Sequence, residues 1–166
     1  YWFLGGFALL SCLSHCSYFV FYLVRYASIV GAYLCNRVDE SITEEDNEAC
    51  EKGELSTPVY FLQYCHVFVY GWQDKSIKYF DCISKRLAFG KNCDKELNGG
   101  WYTDKMFLAL ISPLCLCTNN MAVVLFSVLD QIEWGFLFII VVGNTYLLGL
   151  QIMKILKVRK KTVSQM

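Results

Sequence analysis

Residues 134–153 read WGFLFIIVVGNTYLLGLQIM, and KILKVRKK follows at 154–161. The first of these stretches carries no formally charged side chain. About 20 apolar residues suffice for a helix to cross a hydrocarbon core of about 30 Å. Trp134 suits the aromatic belt at one interface. Lys154, Lys157, Arg159, Lys160 and Lys161 supply a basic anchor on the membrane surface at the other end. Such a basic flank places the C-terminus on the cytosolic or matrix side. This stretch decides the class: an integral membrane protein built of helices.

Residues 106–129, MFLALISPLCLCTNNMAVVLFSVL, are likewise uncharged and long enough to span. Pro113 predicts a kink near residues 109–113, because proline lacks the N–H that a helix interior needs. Asn119, Asn120 and Asn144 are polar at membrane depth and must find partners within the protein. Asp130–Glu133 is a tight connection between the two spans. Residues 1–34 form a first helix with an extension, and their one formal charge is Arg25. A helix of that length would measure about 51 Å, so one long tilted span is expected. Arg25 either snorkels to the interface or lies buried as a functional group.

Two polar regions separate these blocks. Residues 35–56 hold eight acidic residues against Arg37 and Lys52 and read as a solvated acidic loop. Residues 57–72, TPVYFLQYCHVFVYGW, read as a short second apolar helix with Pro58 in its first turn. Its length of about 16 residues is marginal for a span. Residues 73–105 read as a polar loop containing an amphipathic helix. There Ile77, Tyr79, Phe80, Ile83, Leu87 and Phe89 recur at helical spacing, the pattern of a helix lying on the membrane surface. Asn98-Gly99-Gly100 is expected to close it as a turn.

The expected fold class is therefore all-α: an integral membrane helical bundle of four transmembrane helices, or three plus one amphipathic surface helix. With the basic tail 154–166 inside, four spans place the amino terminus inside too and the acidic loop outside. The 166 residues are 55% hydrophobic and 18% charged, with 15 basic and 15 acidic side chains. That is too apolar for disorder and carries no basic stripe for nucleic acid.

The side chains offer few candidates for chemistry. Cys35 and Cys50 bracket the acidic loop, and a disulfide between them would close about 16 residues, worth roughly 3 kcal/mol in an oxidising compartment. Cys115 and Cys117 lie in a span without a group that stabilises a thiolate, so they read as packing residues. His15, with Cys12 and Cys16, and His66, beside Cys65, read as helix-packing residues. Gly135, Gly143 and Gly149 form no G-x-x-x-G dimer motif. The expectation is no catalytic residue, no cofactor site and no metal site; no cofactor is predicted, and a bound phospholipid fits the composition.

Glu54-Leu55-Ser56-Thr57-Pro58 opens an apolar run, Leu97-Asn98-Gly99 precedes a span, and Asn144-Thr145-Tyr146 leads into a Lys-rich helix end. In that order these elements resemble the TLC (TRAM, LAG1, CLN8) membrane domains. The resemblance implies a lipid-handling membrane protein or enzyme. Of that family's paired histidines the chain keeps His15 alone, and the acidic insert at 39–51 has no place in it.

The primary functional expectation is a non-catalytic accessory subunit of a larger membrane protein complex, with other integral membrane subunits and membrane lipids as partners and no nucleic acid. It rests on small size and on 12 Phe, 11 Tyr and 4 Trp, whose large side chains favour interfaces. The mitochondrial inner membrane is the expected site, because small accessory spans are common in its complexes. The TLC-like lipid reading is the first alternative. A channel or transporter unit, with Arg25 and Asn119/Asn120 along its path, is the second.

Overall fold

The computed structural model describes residues 2–31, 57–90 and 98–164. All of its regular elements among these residues are helical. They are α1 (Trp2–Val30), α2 (Thr57–Phe89), α3 (Asn98–Tyr102), α4 (Lys105–Ile111), α5 (Leu116–Val128), α6 (Ile132–Leu137) and α7 (Asn144–Ser164). A 3-10 turn over Ser112–Leu114 joins α4 to α5, and a π turn over Phe138–Gly143 joins α6 to α7. Among the described residues, three helical stretches are long and apolar enough to cross a membrane: Trp2–Val30, Lys105–Val128 and Ile132–Lys160. These mark an integral membrane protein.

The local chemistry accounts for the breaks. Gly31 and Gly90 follow α1 and α2 with φ of 68° each, the left-handed conformation that ends a helix most readily at glycine. The Asp104 carboxylate accepts from the backbone N–H groups of Met106 and Phe107 and so caps α4. Pro113 sits within the 3-10 turn that interrupts the second span, at the expected place. Asp130 takes φ 54° in the turn between spans two and three.

Two regions differ from expectation. Residues 57–72 and the following amphipathic segment form one continuous helix, α2, of 33 residues. Gly71 and the charged side chains beyond it do not stop the helix, because no proline or second glycine follows and the polar half gains packing. That half buries Gln73, Ile77, Asp81, Ser84 and Ala88, a stripe repeating every three or four residues. The apolar positions expected on a membrane-facing stripe divide instead. Ile77 enters the core and Phe80 and Phe89 pack against it, while Tyr79 and Leu87 stay exposed. Asn98-Gly99-Gly100 is the first turn of α3 rather than a closing turn.

The contacts also give the directions of the helices. Contacts between α1 and the last span run in the same order on both: Gly5 with Phe136, His15 with Asn144, Tyr18 with Gln151. Ser17 with Gln73 and Tyr22 with Asp81 order α2 the same way. Helices α1, α2 and α7 are therefore parallel, and the start of α1 and the end of α7 lie at opposite ends of the bundle. Four alternating crossings would make α1 and α7 antiparallel.

Candidate functional site: a polar ladder and the groove beside it

One face of α1 presents Ser11, His15, Tyr18 and Tyr22, spaced by four, three and four residues, so they stack along a single stripe. The matching face of α7 presents Asn144, Gln151 and Lys154. Polar side chains at membrane depth must be satisfied within the protein, and here they pair rung by rung.

At the first rung Asn144 Nδ2 donates to Ser11 Oγ at 3.1 Å and to the Ile140 carbonyl at 2.7 Å. Its Oδ1 thus faces His15 Nε2 at 3.2 Å. Because the Asn144 amide nitrogen is already committed, its oxygen accepts from His15, which places a proton on Nε2. His15 is fully buried, and the ring lies so close to Gly143 that a Cβ there would collide with it. The π turn ends at this glycine; an inserted residue of this kind often marks a functional site. At the second rung Tyr18 donates to Gln151 Oε1, and nearby Ser17 donates to Gln73 Oε1 at 2.7 Å.

The third rung is the densest. Asp81 receives the hydroxyls of Tyr22 and Tyr102 at 2.6 Å each and the Trp101 indole N–H at 2.9 Å, with the Lys85 ammonium at 3.4 Å. Burial alone would push this carboxyl up. The bonds from Tyr102, Tyr22 and Trp101, with the charge of Lys85, outweigh burial and hold it below the usual carboxylate value. Beside it Lys154 is 4% exposed. Its Nζ lies over the rings of Tyr22 at 3.7 Å, Trp101 at 4.1 Å and Phe107 at 4.2 Å, a cation–π cage. Nζ has no hydrogen-bond partner among the described residues.

Lys154 also lines a groove between α4 and α7 of about 570 Å³. Met106, Phe107, Leu110, Ile152, Met153 and Leu156 form its apolar walls, and Gly149 leaves its floor open. Asp104, Lys157 and Lys160 rim it; Lys157 and Asp104 pair at 2.5 Å.

The residues singled out from sequence fare differently. Asn144 takes the central place just described. Asn119 is buried and bonds to the carbonyls of Leu114 and Cys115, so it secures the Pro113 break, while Asn120 is exposed. Arg25 is half-buried against the rings of Phe21 at 4.9 Å and Tyr102 at 5.2 Å, next to the third rung. Cys115 and Cys117 are free thiols. Lys157, Arg159 and Lys160 are exposed. Lys154 is a correction: the three aromatic faces draw it into the bundle. The side chains of His66 and Lys161 and the Cys35–Cys50 pair lie outside the described residues. Sequence reasoning missed Asp81, Trp101 and Tyr102, which sat in a segment read as polar loop; the adjacent Trp101-Tyr102 pair beside Asn98-Gly99-Gly100 was the available signal. It missed Gln151 and Tyr18 as partners too.

No known protein family, curated protein or solved structure matches the chain.

Proposed function

We propose that this chain is a lipid-handling integral membrane protein that holds an amphipathic lipid in the groove between α4 and α7. The observation that carries the reading is Lys154, which belongs both to the buried polar ladder and to the wall of a lipid-facing groove. An apolar slot with a few convergent polar groups is the usual form of a small-molecule site. Two residues of the TLC resemblance, His15 and Asn144, share a hydrogen bond, which supports the same reading.

A photoactivatable glycerophospholipid tests the reading. Crosslinks are expected on peptides containing Met106–Leu110 and Gly149–Leu156; crosslinks spread evenly over all lipid-facing helices would overturn it.

The accessory-subunit reading is the second proposal. Val59, Phe61, Leu62, Tyr64 and Phe68 in the first half of α2 are all more than half exposed, an apolar surface suited to a partner helix. The mitochondrial inner membrane belongs with this reading. Purification in mild detergent as a stable large complex, lost on Phe61→Asn/Phe68→Asn, would favour it.

A further inference from the structure

We infer that the lipid taken by the groove carries a net negative phosphodiester headgroup, held by Lys157 and Lys160 with Lys154 beneath them; this rests on the groove being a lipid site. Three features of the groove converge on that chemistry. The first is charge. Lys157 and Lys160 stand at the rim against the single carboxylate of Asp104, which leaves the mouth net positive. A phosphodiester lipid with no compensating ammonium supplies one negative charge, whereas a zwitterionic headgroup brings a second cation toward the lysines. The second is Lys154. Its side chain is more than nine-tenths buried, lines the same groove and has N–H groups without an acceptor among the described residues. Aromatic faces hold the nitrogen in place but accept no conventional hydrogen bond, so an oxygen ligand entering from the groove would complete its coordination. The third is shape. Gly149 has open space where a side chain would stand, and the floor it leaves runs between Met106, Leu110, Ile152 and Met153, as an acyl chain requires.

The position along the bundle agrees. The lysines follow the apolar part of the last span by only a few residues, at the level where phosphates of one leaflet lie. A lipid seated here keeps its chain in the hydrocarbon and its phosphate at the interface, without leaving the bilayer plane.

The test uses the full chain in mixed nanodiscs of phosphatidylglycerol and phosphatidylcholine, with lipids retained after detergent extraction counted by mass spectrometry. Wild type should retain phosphatidylglycerol in preference by at least about fivefold, the factor expected for one lysine near the surface. Lys157→Gln/Lys160→Gln should bring the preference to near unity while some lipid is still retained. Arg159→Gln removes the same kind of charge outside the groove and should leave the preference intact. Gly149→Phe should abolish retention of both lipids by filling the floor. Equal retention of both lipids by wild type would overturn the headgroup assignment and leave the groove reading standing. Equal loss of preference in Arg159→Gln would overturn it too, since a diffuse basic tail would then explain the effect. Retention of no lipid by wild type, in protein whose melting temperature shows it folded, would overturn both.

Discussion

Tyr22 on α1 donates a 2.6 Å hydrogen bond to Asp81 on α2, and through that carboxylate it meets Tyr102, Trp101 and Lys85. The bond ties the polar half of α2 to the end of the first span. Four donors converge on one buried anion. Asp81→Asn, whose amide offers one acceptor oxygen, is expected to cost about 3 kcal/mol. A fall in apparent melting temperature in detergent, with helix content by circular dichroism unchanged at low temperature, checks it. Unchanged melting would remove Asp81 as the tie.

The same carboxylate gives a pH dependence with a definite sign. Its folded value lies below the ordinary one, about 3.9 for Asp. As pH falls the unfolded chain takes up the proton first, so the contribution of Asp81 is complete well above the ordinary value, declines below it and is gone once pH passes under the folded value. Asp104, lowered against burial by Lys157 and by the N–H groups of Phe107 and Met106, acts with the same sign. Melting temperature should therefore drop on acidification through about pH 4, and the drop should be smaller in Asp81→Asn.

His15 and Gly143 form a fitted pair. A methyl group at position 143 would strike the ring, so Gly143→Ala should destabilise by about 1–3 kcal/mol. His15→Ala should also destabilise, by leaving a cavity and freeing Asn144 Oδ1. The double variant should recover part of the loss, because the methyl group then enters the space of the ring. Strict additivity of the two losses would mean that the contact is not made.

Tyr18 and Gln151 form the rung between them. Tyr18→Phe leaves the buried Gln151 side chain with no hydroxyl to accept from and should cost about 1–3 kcal/mol. Tyr18→Phe combined with Gln151→Leu removes both polar groups and should be milder than Tyr18→Phe alone. Thermal melting of the three proteins decides the point.

How much of this was legible in the sequence follows from what each residue's neighbours reveal. The apolar first block, the uncharged runs at 106–129 and 134–153 and the break at Pro113 are local properties, and the three spanning stretches follow from them. Helix direction is not local. It depends on which face of α1 meets which face of α7, and a face containing Ser11, His15, Tyr18 and Tyr22 among many aromatics has no strong amphipathic signal. Asp81 carried charge in a charged neighbourhood, and its burial depends on Tyr22 far back in the chain and on Trp101 and Tyr102 twenty residues on. Lys154 read as the first cation of a basic tail; the three rings that draw it inward come from three separate helices.

The central claim is that the groove between α4 and α7 holds a lipid. The most direct measurement is the lipid content of the purified chain after extensive detergent exchange, compared between wild type and Gly149→Phe, with melting temperature taken on the same samples. The account predicts about one glycerophospholipid per chain in wild type, the stoichiometry of a single site, and loss of that lipid in a variant that remains folded. A wild-type protein free of lipid, or a Gly149→Phe protein that keeps it, would contradict the account.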